Sequence, residues 1–211
     1  MATVLYIKAH PLTEQESISV AMASAFLDQY RKVNPNDTII PLDLYRTPAP
    51  GVDADVLRGW GKLRSGTPFE ELKEDEQSKI ALINETADQF AVADKYVFVS
   101  PMWNLSYPPV LKAYIDSWAI AGKTFYYTEK GPLGMLNNKK AVHIQSRGNV
   151  YEGTPNESYE SGHRHLTSML AFVGITDIQG VFAEGSNLNP ANREEIKLRA
   201  VERAIQAAAS F

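Results

Sequence analysis

Ser17 and Ser19 stand two residues apart where a helix should begin, at the end of the stretch "HPLTEQESIS". Free amide donors and the helix dipole draw an anion to such a terminus, and hydroxyls add further hydrogen bonds. The stretch holds no glycine, so it is neither a G-x-G-x-x-G fingerprint nor a Walker A loop. A single terminal phosphate fits better than a pyrophosphate lying against bare backbone. The plain alternative for Ser17 is an N-cap without a ligand, since serine caps helices wherever they start. A second segment, "SPMWNLSYPPVLKAYID" (residues 100–116), follows the apolar run "KYVFVS" and so begins where a strand ends. Pro108 and Pro109 suit the first turn of the next helix, where donors are unpaired and the fixed φ of proline is already helical. They hold Trp103 and Asn104 in a rigid loop, on which a planar ligand would rest. The chain has no cysteine, which removes disulfides, thiolate nucleophiles and cysteine metal sites, and it has no G-x-S-x-G serine.

These residues need a scaffold, and the pattern of the chain supplies one. Short β-branched or aromatic runs alternate with helical periods, the mark of βαβ units and a mostly parallel sheet. Strands are expected at residues 3–9, 37–45, 96–100, 139–146 and 176–183, with helices at 18–33, 70–93, 109–121 and 157–173. Asn189 is expected to cap a last helix that Pro190 opens. Pro41 cannot donate to a ladder, so the second strand belongs on an edge. That favours the flavodoxin-like order 2-1-3-4-5 over the dinucleotide order, in which the second strand is internal. The expected fold is thus α/β, a flavodoxin-like three-layer sandwich with helices on both faces of a five-stranded parallel sheet. One domain spans residues 1–211, with insertions near 46–68, rich in Pro and Gly and holding one short helix, and near 122–138, where a hairpin is expected.

Composition narrows the class of partner. With 21 Lys and Arg against 25 Asp and Glu, and no run of five like charges, the chain shows neither a nucleic-acid footprint nor a membrane patch. A small molecule is the expected partner. The start "MATVLYIKAH" turns polar too soon for a signal peptide, and no apolar stretch approaches ~18 residues, so a cytoplasmic protein is expected.

Three spaced motifs, "PMWNLSYPPVLKAYID", "AGKTFYYTEKGPLGML" and "IQSRGNVY", closely resemble the FMN-dependent NADH-azoreductase family, and "GITDIQGVFAEG" extends the likeness. The resemblance implies a homodimer with FMN at each subunit boundary, NADH or NADPH as electron donor, and ping-pong reduction of quinones and azo compounds. It implies that Ser17, Ile18 and Ser19 hold the FMN phosphate and that Met102, Trp103, Asn104 and Leu105 border the ring, with Pro101 just ahead of them. Ser146, Arg147, Gly148 and Asn149 would complete the pyrimidine side, with Tyr151 beyond. His10 stands where the family often has a small polar residue, and it would donate to phosphate. Asn149 replaces a second glycine and would tolerate a left-handed backbone. A flavin carries hydride itself, so the missing cysteine, serine and metal chemistry is consistent.

Other residues have competing readings. Phe125 and Tyr127 are either hairpin packing or, by resemblance, part of a substrate pocket. Glu184, at the end of the fifth strand, either faces that pocket or is solvated. His143 reads as a satisfied core histidine, and His163 and His165, at i and i+2, diverge on a helix and make a poor metal pair. Leu111, Tyr114, Ile115 and Trp118 form a helical stripe that reads as core or dimer interface. Beside the oxidoreductase stand two other classes, a flavodoxin-like electron carrier and a cofactor-free binding module.

Overall fold

The computed structural model of the chain describes residues 1–188 and 190–211, so the cap expected of Asn189 lies outside the described residues. Five parallel strands, β1 (Thr3–Lys8), β2 (Thr38–Asp43), β3 (Lys95–Pro101), β6 (Lys140–Ser146) and β7 (Asp177–Ala183), form one sheet in the order β2-β1-β3-β6-β7. The two intervening strands, β4 (Phe125–Thr128) and β5 (Gly131–Gly134), pair antiparallel as the expected hairpin. Renumbered without that hairpin, the order is the 2-1-3-4-5 that Pro41 indicated. Pro41 lies on the edge strand, in register with Tyr6.

Alternation along the strands builds two cores. In β3, Tyr96 and Phe98 join α3 (Glu74–Val92), α4 (Pro109–Trp118) and α5 (Gly162–Phe172) on one face. Val97 and Val99 join α1 (Ile18–Val33) and α6 (Arg193–Ser210) on the other. A central parallel strand covered on both faces reads as the continuous apolar run "YVFV" for this reason. The stripe of Leu111, Tyr114, Ile115 and Trp118 is fully within the first core, and Trp118 stacks on Phe90 at 4.2 Å.

Side chains set several helix ends that the sequence pattern does not fix. The excursion after β2 folds as α2 (Ala54–Arg64), capped by the Asp53 carboxylate, which accepts from the amides of Asp55 and Val56. It docks on α3 through Val56 and Ile80, with Lys62 reaching the buried Glu76 at 2.7 Å. The helix α4 stops at Trp118 because the Thr124 hydroxyl donates to its carbonyl at 2.9 Å. The helix expected over 157–173 is divided: a 3-10 turn covers Pro155–Tyr159, and α5 starts afresh at Gly162. The Glu160 carboxylate accepts from the amide of His163 at 2.7 Å, supplying the new N-terminus with an acceptor. The last helix likewise opens with a 3-10 turn, Pro190–Asn192, before α6. Among the described residues no helix is long and apolar enough to cross a membrane.

Candidate functional site

The strand register brings four turns to one rim. Pro101 pairs with Ser146, and Ser146 with Ala183, so the segments after β3, β6 and β7 leave the sheet side by side. Two further bonds extend the ladder past the strand ends, Met102 N to Ser146 O at 2.8 Å and Arg147 N to Ala183 O at 2.7 Å. Ligands of open α/β sheets bind at this edge.

The segment after β1 delivers the two serines. Ser17 is the N-cap of α1, and its Oγ accepts from Val20 N at a long 3.4 Å. Its hydroxyl lies 3.2 Å from that of Ser19, and both are buried. The amides of Ile18 and Ser19 have no partner among the described residues, as the first turn of a helix requires. This end of the rim therefore presents hydroxyls and free amides; the nearby Glu16 carboxylate accepts from the amide and hydroxyl of Thr13. His10 adds a donor. Its Nδ1 accepts from Leu12 N at 3.0 Å, which leaves the proton on Nε2. Burial, reinforced by the Lys8 cation, holds its pKa below the usual histidine range, so the ring is neutral at pH 7.

His10 also borders the second turn, its ring 6.3 Å from that of Trp103. Trp103 and Ser106 exchange backbone bonds of 2.8 and 3.0 Å around Asn104 and Leu105, which have φ of 47° and 69°. Asparagine adopts this left-handed region readily, but leucine does not, so the turn is strained at Leu105. Pro108 and Pro109 occupy the N-cap and N1 positions of α4, as their chemistry demands. The amides of Asn104 and Leu105 make no hydrogen bond among the described residues.

The third and fourth turns close the cleft together. Asn187 N donates to Gly148 O at 2.9 Å, and Gly185 N to Asn149 O at 3.0 Å. A Cβ at Gly148 would sit 2.6 Å from Asn187 Nδ2, so glycine here leaves room for the Asn187 side chain, and its φ is not left-handed. Asn149 is not left-handed, which corrects the reason expected for its replacing a glycine; its Oδ1 accepts from Val150 N at 2.8 Å. The amides of Gly148 and Asn149 also lack partners among the described residues. Met102, Asn104, Leu105, Gly148, Asn149, Tyr151, Asn187 and Leu188 line an open cleft of about 370 Å³.

A profile described as flavodoxin-like fold matches residues 2–208. The chain is 53% identical, over all 211 residues and the whole of the relative, to an FMN-dependent NADH:quinone oxidoreductase of Bacillus velezensis. It superposes with a TM-score of 0.92 on an azoreductase of Bacillus anthracis at 38% identity, each chain covered completely. A Bacillus anthracis FMN-dependent NADH-azoreductase in complex with FMN gives 0.92 at 33% identity, with 100% of this chain and 99% of that one covered. The chain belongs to the FMN-dependent NADH:quinone oxidoreductase and azoreductase family.

Within this family frame, the expected residues separate by position. Met102, Asn104, Leu105, Gly148, Asn149 and Tyr151 meet in the cleft, while Ser17, Ile18 and Ser19 lie at the head of α1. Pro101 and Ser146 end their strands as a register pair beneath the turns. The Arg147 side chain is turned inward. Its guanidinium lies 3.5 Å over the Phe182 ring, with Nε on Gln145 Oε1 and Nη1 on Glu184 Oε1, both at 2.9 Å. Glu184 also accepts the amide of Tyr151 at 3.1 Å and that of Glu152 at 3.2 Å. It is neither solvated nor a wall of the cleft; it ties down the turn that is. Phe125 is a core residue, 4.6 Å from the Phe172 ring, and Tyr127 projects from the hairpin with 72% exposure. Neither lines the cleft.

Asn187 and Leu188 also line the cleft, and neither is a candidate from sequence. The only signal for them was their place in "EGSNLNP", after the last strand. His143 is buried and satisfied by Ser100 Oγ at 3.0 Å and His163 Nδ1 at 3.1 Å, and burial pushes its pKa well below the usual range. His163 and His165 do diverge, since the latter faces the Tyr107 hydroxyl at 2.5 Å.

Proposed function

We propose that the chain binds FMN along this rim and uses NADH to reduce quinones and to cleave azo compounds to amines. The observation that carries the reading is the set of four amides without partners among the described residues, at Asn104, Leu105, Gly148 and Asn149, on facing turns of one cleft. Such donors suit the polar edge of a flat ring that becomes more electron-rich on reduction. The buried hydroxyls of Ser17 and Ser19, with the free amides beside them, match a phosphate. The donor chemistry therefore fits FMN at both ends, and FMN is the cofactor in the names of the B. velezensis and B. anthracis proteins.

In this reading Ser17, Ile18, Ser19 and the Nε2–H of His10 hold the phosphate. Met102, Trp103, Asn104 and Leu105 border one side of the ring, with Pro101 beneath, and Ser146 to Asn149 and Tyr151 the other, with Arg147 acting from below. When bound, FMN supplies the hydride chemistry that no side chain here has to perform. The protein's work is to fix the ring, present donors to its polar edge and leave one face open to flat partners. One face that takes nicotinamide and oxidant in turn gives ping-pong kinetics, with either NADH or NADPH as donor. A quinone needs one such reduction to become a hydroquinone, and an azo bond needs two to separate into amines.

A homodimer belongs to the same proposal. Trp103 and Leu105 in the turn after β3, and Tyr126, Tyr127, Leu133 and Met135 on and just after the hairpin, are large apolar side chains that a single chain leaves exposed. A second copy would cover them and place Tyr127, with Phe125 behind it, toward a substrate pocket. The test is direct. Protein saturated with FMN is titrated with NADH without oxygen, then offered a quinone or an azo dye. Bleaching of the flavin bands and their return with either oxidant is expected, with parallel double-reciprocal plots. A chain that takes up no FMN would sink the proposal.

A further inference from the structure

The strained turn beneath the proposed ring site is held from far away in sequence. The carbonyl of Leu105 accepts two hydrogen bonds from one residue, Ser161, whose amide lies at 2.9 Å and whose Oγ lies at 2.8 Å. Ser161 immediately precedes α5, and the two residues are separated by 56 positions. Gly162 allows the approach: a Cβ there would stand 3.0 Å from Ser106 C and 3.1 Å from Tyr107 N. One helical turn further, His165 Nδ1 meets the Tyr107 hydroxyl at 2.5 Å. The start of α5 also reaches the opposite wall of the cleft. Glu160, whose carboxylate accepts the His163 amide at the start of α5, faces the buried guanidinium of Arg147 at 3.9 Å, and Arg147 directly precedes Gly148.

Leucine at φ 69° relaxes to negative φ unless its surroundings prevent it, and a peptide whose carbonyl is pinned twice cannot rotate freely. Relaxing the Leu105 φ would swing this carbonyl relative to the preceding peptide, which carries the Leu105 amide, and so would displace the donors on this wall. We infer that Ser161, seated by Gly162, is the positioning residue that keeps the Asn104–Leu105 turn in its left-handed form and so sets how its amides meet the flavin. The inference rests on FMN being the ligand. It assigns a task to the break between the 3-10 turn and α5, because a continuous helix would carry the Ser161 amide to an i−4 carbonyl instead of to Leu105.

The experiment compares wild type, Ser161→Ala, Ser161→Thr and Gly162→Ala for FMN affinity by fluorescence titration. It also measures the two-electron flavin potential by spectroelectrochemistry and the melting temperature of the FMN-free protein. Ser161→Ala should weaken FMN binding about three- to tenfold, the scale of one hydrogen bond. The potential should move negative, since the turn's donors stabilise the reduced ring less. Ser161→Thr, which keeps both donors, should restore both values. Gly162→Ala leaves the hydrogen-bonding groups intact but forces the turn away, so it should reproduce the effect and gives the answer should Ser161→Ala not fold. Unchanged affinity and potential in both disruptive variants would overturn the assignment. So would a lower FMN-free melting temperature with an unchanged potential, which is a structural role only. Failure of the wild type to take up FMN would overturn the proposed function as well, whereas normal wild-type binding with unaltered variants would overturn the positioning role alone.

Discussion

The two ends of the rim are built by opposite means. At the serine end the geometry is local: Ser17 caps the helix it begins, and its hydroxyl partners are Ser19 and Val20, two and three residues on. At the ring end nothing local suffices, because Leu105 sits in a conformation its own side chain resists and Gly148 is pressed against Asn187. A local device tolerates change elsewhere in the chain. A tertiary one depends on residues with no sequence neighbourhood in common.

The sharpest way to separate the two ends is to remove the serine hydroxyls. Ser17→Ala with Ser19→Ala should weaken FMN binding by at least about a hundredfold, because hydrogen bonds to a charged group contribute about 1.5–3 kcal/mol each. The loss of the cap should cost about 1 kcal/mol of stability, and the flavin potential should stay near wild type. Fluorescence titration and spectroelectrochemistry report the two quantities separately. Unchanged affinity would mean that the phosphate is held elsewhere.

Gly148→Ala attacks the other end. Its Cβ would stand 2.6 Å from Asn187 Nδ2 and 3.1 Å from its Cγ, so the Asn187 side chain must move from its place in the cleft. A loss of affinity of about tenfold is expected, on the scale of overpacking. Adding Asn187→Ala removes the atoms that clash and should recover most of the loss, which a double-mutant cycle measures as coupling. Additive losses in that cycle would show that the clash is not the cause.

Why the serine end was legible in sequence and the ring end only in part follows from the same contrast. Strand runs such as "YVFV", the edge position of Pro41 and the bounds of α1 each depend on short-range pattern, and each is present as expected. The motif likeness placed Met102, Asn104, Leu105, Gly148 and Asn149 in one cleft, but it could not say how. Arg147 reads as a site residue, yet its backbone borders the turn while its guanidinium lies over the Phe182 ring. Residues 157–173 are compatible with one helix throughout, and only the bonds of Ser161 to Leu105 and of Glu160 to His163 explain the break. Phe125 alternates correctly for a hairpin, but alternation does not say which face meets the core. Asn187 had no signature beyond following a strand.

Acid should also loosen the fold. Burial lowers the pKa of all four histidines, His10 at the rim and His143, His163 and His165 elsewhere. A group that resists protonation in the folded state lets the unfolded chain bind more protons once the pH drops below its unfolded value of about 6.5. Stability is therefore fully present above that pH and declines below it, by up to about 1.4 kcal/mol per pH unit for each such histidine. Urea unfolding of the FMN-free protein between pH 8 and pH 5 should show a plateau and then this decline, and His143→Gln should make the decline shallower. An equal slope in the variant would remove His143 from the account.

The smallest expected effect is at Asn149, and it tests whether the ring end is strained throughout or only at Leu105. Asn149 lines the cleft without a left-handed backbone, and its side chain bonds the next amide, that of Val150. Glycine offers no conformational relief there, and its extra freedom in the unfolded chain costs about 0.5–1 kcal/mol of stability. Asn149→Gly should then lower stability slightly and leave FMN affinity within about threefold of wild type, the scale of a single neutral hydrogen bond. A gain in affinity of tenfold or more would mean that the asparagine Cβ crowds the ring. The strain would then be shared between the two facing turns, and the start of α5 would be holding only part of it.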